Sequence, residues 1–274
     1  PLIVRPLQYR CNNMMILPVP AQTATIGFSY SVAGLLFPFQ AGVTNKLQED
    51  NHLLPSTPLN GASGGSLAVA CAASPTVIST EEALASSLRI ANRCTKEGAI
   101  FNLERILREE LSVMCTQEMV NEINARPSRV DFLWTSAPSL QRRSSGPPFD
   151  CPDDLIDILS ASCHIPLYSS VNPVTSVQGE WGLDGFLSAP SALGCQPVQG
   201  VDETIFCTPF SSFPSKTTRR SLISPLVEDI PFTPAEYLSL ALGRPGPNEE
   251  QHRLLFELGR KCAERWINND YTRL

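Results

Sequence analysis

Asn60-Gly61-Ala62-Ser63-Gly64-Gly65-Ser66-Leu67-Ala68-Val69-Ala70 is the stretch on which the reading of this chain turns. Gly61, Ser63 and Gly65 spell G-x-S-x-G, and a run of small residues follows at once. A nucleophilic serine needs a sharp, strained strand-to-helix turn that lifts its oxygen clear of the backbone. Glycines on both sides remove the Cβ atoms that would clash in such a turn. The helix opening at Gly64 then points its unpaired N–H groups toward the serine, where negative charge would develop. The same residues also suit a plain glycine-serine loop ahead of a helix, so the flanking chain has to arbitrate.

Upstream, the strand expected ahead of the turn is Ser56-Thr57-Pro58-Leu59-Asn60. Pro58 lacks an N–H for a sheet ladder, so this strand must be short or locally unpaired. Farther back, Thr23 to Ser29 alternates as a strand does, and the small residues Ser31, Ala33 and Gly34 follow. Leu35 to Leu47 reads as a helix, with Gly42 where a neighbour can pack closely. Strand, small-residue turn and helix N-terminus together make either an anion-binding arrangement or an ordinary βα turn.

Downstream, Ser79-Thr80-Glu81-Glu82 is a capping box that opens a helix running to about Asn92. Leu103, Ile106, Leu107 and Leu111 form the apolar stripe of another helix. Val130 to Thr135 reads as a buried strand, and 136–149, rich in Ser and Pro and holding Arg142-Arg143, as an exposed loop. After Pro152, Asp153 and Asp154 occupy a first helical turn, as the macrodipole prefers. A strand over Glu203 to Thr208 and a loop with Lys216, Arg219 and Arg220 come next. The last helix carries Leu254, Leu255, Leu258, Cys262 and Trp266 on one face. Strands alternating with helices predict an α/β fold of three layers, α/β/α, around a mostly parallel sheet. No internal repeat and no dividing linker interrupts it.

Composition narrows the function classes. Of the 274 residues 42% are apolar, enough for a sizeable core. A net charge of -6 argues against nucleic acid as the main partner. Pro38 and Gln40 break the longest apolar run, around Ala33 to Phe39, so membrane contact is expected to be peripheral. The nine cysteines are scattered without a C-x-x-C pair, which favours reduced, buried thiols in an intracellular protein and no metal site. Asp and Glu are absent before Glu49, as in plastid or mitochondrial targeting segments. Serine is also absent before Ser29, which is unlike them.

A serine alcohol needs a base, and the three histidines are His52, His164 and His252. His252 has the chain order of an α/β-hydrolase triad, but in Glu249-Glu250-Gln251-His252-Arg253 it reads as a solvated residue of a first helical turn. His164, ahead of Ile165-Pro166, reads as structural, and His52 lies in a polar loop. The other candidate is Asp184, in Glu180-Trp181-Gly182-Leu183-Asp184-Gly185-Phe186. It suits an Asx-turn bonding its own backbone. Partly desolvated beside a serine, its carboxyl would also rise toward the working range of a base.

With these residues in hand the chain resembles the patatin-like phospholipases, and within them the branch that includes adipose triglyceride lipase and adiponutrin. The matching stretches are Gly34-Leu35-Leu36 with Ala41-Gly42-Val43, Gly61-Ala62-Ser63-Gly64-Gly65, Asp154-Leu155-Ile156-Asp157 with Ala161-Ser162-Cys163-His164-Ile165-Pro166, and Asp184-Gly185. Weaker echoes are Ile223-Ser224-Pro225 and Leu258-Gly259-Arg260. The resemblance implies an N-terminal extension 1–22, an acyl hydrolase domain 23–267 and a tail 268–274. It implies a Ser–Asp dyad that cleaves lipid acyl esters without cofactor or metal, with Ser63 as nucleophile and Asp184 as the proton acceptor. Gly61, Gly65 and Gly185 are the motif glycines, and Ala33, Gly34, Leu35 and Gly64 would supply the oxyanion hole. The implied partner is a lipid at a membrane or lipid-droplet surface, reached peripherally from the cytoplasm, with the basic residues near 142 and 219 as headgroup contacts.

Two departures stand out. The family's G-x-G-x-x-G loop falls on Val32-Ala33-Gly34-Leu35-Leu36-Phe37, where only Gly34 matches. Its Asp-Gly-Gly or Asp-Gly-Ala appears as Asp184-Gly185-Phe186. Oxyanion donors are backbone N–H groups, so Val32 is tolerated if its φ is negative. Otherwise a donor is lost and the rate falls by about 10²–10³. Two rivals stay open: a Ser-His-Asp esterase of soluble esters, and a catalytically weak lipid-binding scaffold that retains the fold.

Overall fold

A computed structural model describes residues 25–211 and 219–268. The extension 1–22, Lys216 and the tail after Asn268 lie outside them. In chain order the first half holds β1 (Ile26–Tyr30), α1 (Phe37–Glu49), β2 (Leu59–Ala62), α2 (Gly64–Ala73), α3 (Thr80–Glu97), α4 (Leu103–Met114) and α5 (Gln117–Asn124). The second half holds β3 (Val130–Ala137), β4 (Gln141–Ser145), α6 (Pro152–Ser162), β5 (Thr175–Val177), β6 (Glu180–Asp184), β7 (Glu203–Cys207), β8 (Leu222–Ile223), α7 (Pro234–Ala241) and α8 (Glu249–Ile267).

The strands form one eight-stranded sheet in the order β5-β6-β3-β2-β1-β7-β8, with β4 paired to β3 off this path. From β3 through β2, β1 and β7 to β8 every pairing is parallel, whereas β4, β5 and β6 join antiparallel. Helices flank the sheet, giving the three-layer α/β/α patatin-like architecture. The central parallel strands are covered on both faces, and Phe28, Tyr30, Leu59 and Phe132 are all but inaccessible.

Local chemistry explains most boundaries. Ser79 Oγ accepts the Glu82 N–H while the Glu82 carboxylate accepts that of Ser79, so the capping box opens α3 as expected. The helix then runs past Asn92 to Glu97. Pro58 sits just outside β2, where its carbonyl accepts the Phe28 N–H at 3.1 Å, and β2 is accordingly only four residues long. One reading is corrected: the stretch 136–149 is not simply a loop. β3 continues to Ala137 and turns back as β4, whose outward side chains are mostly polar, so hydrophobic alternation could not reveal it.

Gly42 does mark a close contact. A Cβ there would lie 2.1 Å from the Phe256 carbonyl oxygen of α8, and one at Gly259 would lie 2.0 Å from that of Phe39. The two glycines face across α1 and α8 and let the backbones nearly touch. Gly259→Ala is expected to cost about 1–3 kcal/mol through overpacking. Thermal unfolding checks this, and a variant melting with the wild type would show that the helices have slack.

Candidate functional site

Ser63 sits between β2 and α2 with φ 55° and ψ -129°, a conformation uncommon for a residue with a side chain. Glycines make the turn possible by proximity. A Cβ on Gly61 would lie 2.3 Å from the Gly65 carbonyl oxygen, and one on Gly65 would lie 2.4 Å from that of Ser31. The first turn of α2 is thereby pressed onto the ends of β1 and β2. The Ser66 N–H and hydroxyl both donate to the Ser63 carbonyl, at 2.8 and 2.6 Å.

The turn is also held from α6. Ser162 Oγ accepts the Ser63 N–H at 2.8 Å and donates to the Leu133 carbonyl of β3 at 2.6 Å. This completely buried serine lay within the Ala161-Ser162-Cys163-His164 match, but nothing in its neighbours' pattern announced that it would clamp the elbow. Local sequence carries no record of a bond to a residue so distant in the chain.

Asp184 ends β6, next to β3. Its N–H donates to the His164 carbonyl at 2.7 Å, and Thr135 Oγ1 donates to its carbonyl at 2.8 Å. A Cβ on Gly185 would lie 2.6 Å from the Leu133 carbonyl oxygen, so only glycine lets the chain leave the strand here. The carboxylate accepts the Phe186 N–H at 2.8 Å, which realises the Asx-turn, and the Ser63 hydroxyl is among the groups that lower its proton affinity. Ser63 follows β2 and Asp184 ends β6, two strands that flank β3 in the sheet. Burial pushes the Asp184 carboxyl up to about 6; the bond from the Phe186 N–H and the nearby Ser63 hydroxyl and His164 oppose that rise without cancelling it.

Beside this pair, Gly34 takes φ 55° in the 3-10 turn Gly34–Leu36, and a Cβ there would strike the Ala241 carbonyl oxygen at 2.1 Å. Gly34, Leu35 and Gly64 open their helices, so their N–H groups stand outside the helical ladders. Gly64 packs on this loop: a Cβ added to it would lie 3.0 Å from Ala33 Cβ and 3.2 Å from Gly34 N. Val32 is absent from the positive-φ residues, so its side chain imposes no left-handed strain, and its N–H donates to the Leu193 carbonyl at 2.9 Å.

An apolar cavity of about 110 Å³ runs from Ser63, Gly34 and Gly64 to Met114 and Met119. The α4 stripe Leu103, Leu107 and Leu111 lines it, with Ile90 of α3. Periodicity identified that stripe as core, and the structure adds that it faces a space. Arg142, Arg143 and Arg220 do not line this cavity; Arg143 pairs instead with Glu180 at 3.1 Å.

One of the histidines differs from expectation. His252 is buried, not solvated: Nδ1 lies 3.2 Å from the Asn248 carbonyl oxygen and Nε2 3.1 Å from Ser87 Oγ. Burial lowers its affinity for a proton. Its charged neighbours in sequence occupy the outer face of α8, which is why the local context misled. His164 is fully buried, with Nε2 3.1 Å from the Asn172 carbonyl oxygen and Nδ1 3.2 Å from Glu104 Oε2. His52 meets the Trp266 ring edge-on at 5.7 Å. Among the described residues no cluster of His, Cys, Asp and Glu side chains could hold a metal ion, the eight cysteines are free thiols, and no helix is long and apolar enough to cross a membrane.

The fold defines an α/β/α protein with a serine on a strand-to-helix elbow. No protein-family model and no curated sequence matches the chain. Among solved structures it is similar to VipD from Legionella pneumophila, with a TM-score of 0.53 and 11% identity, over 90% of this chain and 67% of that one. A weaker likeness is to the complex of SpcU with ExoU from the type III secretion system of Pseudomonas aeruginosa, with a TM-score of 0.39 and 12% identity over 89% of this chain and 53% of that one. At such identities the likeness to VipD speaks for the fold.

The raised Asp184 carboxyl has a consequence for stability. The native state holds this proton more tightly than the unfolded chain, so stability is lost as pH rises from about 4 to about 6. Asp184→Asn is therefore expected to stabilise the fold at pH 8, by up to about 3 kcal/mol, and not at pH 3.5. Urea unfolding at both values checks the sign; equal stability at pH 8 would mean the carboxylate is not desolvated. Ser162→Ala leaves the buried Ser63 N–H without an acceptor and is expected to cost about 1–3 kcal/mol in the same assay.

Proposed function

We propose that this chain is a lipid acyl-ester hydrolase of the phospholipase A or acylglycerol lipase type, acting through Ser63 and Asp184. The observation that supports it most is a serine on a strained elbow, near a buried carboxylate of raised proton affinity and at one end of an apolar cavity. A carboxylate holding its proton up to about 6 is a far better base than a solvated one, yet is still ionised at neutral pH.

In this reading the acyl chain lies in the cavity and the ester carbonyl rests over Ser63. Ser63 Oγ bonds to the carbonyl carbon as its proton passes to Asp184. The N–H groups of Ala33, Gly34, Leu35 and Gly64 receive the oxyanion. Collapse breaks the ester bond, and Asp184 gives the proton to the departing alkoxide. Water then attacks the acyl-serine, losing a proton to Asp184, and Ser63 Oγ leaves with that proton as the fatty acid is released. Substrate is drawn from a lipid surface that the protein meets peripherally. The turn geometry accommodates the departures from the family pattern: Val32 escapes left-handed strain, Phe37 lines the cavity and the Phe186 N–H bonds Asp184. Both nitrogens of His252 lie against other groups, the Asn248 carbonyl oxygen and Ser87 Oγ, which disfavours the triad alternative with that residue.

The test is fatty-acid release from a mixed lipid extract, run beside labelling by a fluorophosphonate. Ser63→Ala should abolish both, and the wild-type rate should fall about tenfold per pH unit below about 6. A wild type that neither labels nor releases fatty acid would leave the fold as a non-catalytic lipid-binding scaffold.

A further inference from the structure

Phe101, Leu167 and Leu238 are 51%, 59% and 59% exposed, and they belong to three segments that line the cavity. Phe101 stands just before Leu103, Leu167 lies between Ile165 and Tyr168, and Leu238 is one helical turn before Leu242. The segments are tied together. The Phe101 N–H donates to the Tyr168 carbonyl at 2.6 Å, the Glu104 N–H to that of Ser169 at 2.9 Å, and the Tyr168 hydroxyl to that of Leu242. Gly34 is exposed and abuts the Ala241 carbonyl, so the group also borders the turn beside Ser63. The mouth of the cavity is framed by these three side chains.

Scattered exposed apolar residues are ordinary; a set of them around an opening is informative. Two are held where bulky residues are uncommon. Phe101 has φ 66° and Leu167 φ 57°, a region that glycine or asparagine usually fills. The turns alone do not call for apolar side chains there.

Charge is kept off this rim. Residues 98–103, 165–175 and 237–243 contain no Asp, Glu, Lys or Arg, in a chain of which 18% is charged. Glu104 follows the first of them but turns inward: its side chain is 14% exposed and accepts the Thr175 hydroxyl at 2.7 Å. Two unpaired cations stand at the border. Arg244 follows the third segment, and the Gly246 N–H donates to Thr95 Oγ1 at 3.1 Å, which lays this stretch on the end of α3, where Lys96 is exposed. Arg93 and Arg105 pair with Glu97, whereas Lys96 and Arg244 meet no carboxylate among the described residues. On a protein of net charge -6, local cations beside apolar tips complement an anionic lipid surface. A stable protein partner would need about 800 Å² of complementary face on each side, whereas separate apolar tips enter a headgroup boundary one by one.

We propose that this rim is the surface by which the protein seats on a phospholipid bilayer. Phe101, Leu167 and Leu238 enter the boundary between headgroups and acyl chains, and Lys96 and Arg244 meet the anionic headgroups. The basic residues expected in that role, Arg142, Arg143 and Arg220, do not line the cavity. Delivery of substrate from this surface to Ser63 rests on the hydrolase reading; the docking itself does not.

Binding is read without turnover, by flotation of the Ser63→Ala protein with vesicles of phosphatidylcholine containing about a quarter phosphatidylserine. Asparagine tolerates positive φ and glutamine is a good helix former, so Phe101→Asn/Leu167→Asn/Leu238→Gln should melt with its parent. Its partition into vesicles should fall about a hundredfold. Lys96→Gln and Arg244→Gln should each lower partition about fivefold, and only where phosphatidylserine is present. Hydrogen exchange on the unsubstituted chain gives the same reading with no variant: residues 98–103, 165–172 and 237–243 should gain protection with vesicles. Protection instead at Leu140 and Trp181, which are also exposed, overturns the proposal. So does a parent that does not float, or a triple variant that floats as its parent does. Self-association that the triple variant abolishes, with neither form floating, makes the rim an interface between copies and overturns it too. With Ser63 restored, the triple variant should keep its turnover of a soluble short-chain ester and lose release from vesicles; an equal loss on both overturns the docking role. Vesicle binding as expected with no turnover of either substrate overturns the hydrolase reading and leaves the docking surface standing.

Discussion

A serine held at a positive φ at the junction of a strand and a helix is the constraint on which the rest of this structure depends. Such a conformation costs about 1–3 kcal/mol and persists only where its surroundings over-determine it. Here they do so from three sides. Gly61 and Gly65 let α2 press on the strand ends, Ser66 returns two bonds to the Ser63 carbonyl, and Ser162 of α6 takes the Ser63 N–H. The strain fixes the place of one hydroxyl where water has been largely excluded.

The second element of the site draws on a different cost. Asp184 is 2% exposed, and a carboxylate removed from water resists ionisation. The structure does not relieve this fully. The Phe186 N–H and the Ser63 hydroxyl favour the ionised form, yet burial keeps its carboxyl raised to about 6. The stability lost when this buried group ionises and the rise in its proton affinity are the same free energy seen from two directions. The parallel strands β1, β2 and β3 provide a rigid frame for that arrangement, because both of their faces are covered and their ends cannot drift independently.

Around the polar centre the chemistry is almost wholly apolar. The helices α3 and α4, inserted between β2 and β3, close over a cavity that reaches the serine. They are pinned to each other at the outside by ion pairs such as Arg93 with Glu109 at 2.6 Å. Partly exposed pairs of this kind contribute little stability singly. Their value lies in register: they fix how α4 presents Leu103, Leu107 and Leu111 to the cavity.

The sequence by itself determined the layer architecture, the elbow and the two candidate residues, because each depends on short-range rules. Alternating strand and helix patterns, glycines flanking one serine, a capping box at Ser79 and an aspartate before Gly185 are all local signals. What only the tertiary structure decided is what distant residues do to one another. His252 sits in a charged segment yet is buried, since one helix face can be apolar while its sequence neighbours are not. β4 carries too little hydrophobic pattern to be seen without its partner β3. Ser162 takes the Ser63 N–H and the His164 carbonyl takes that of Asp184, across elements that meet only when the sheet has formed. A one-dimensional pattern records which face of an element is buried; it does not record which polar atom waits on the other side.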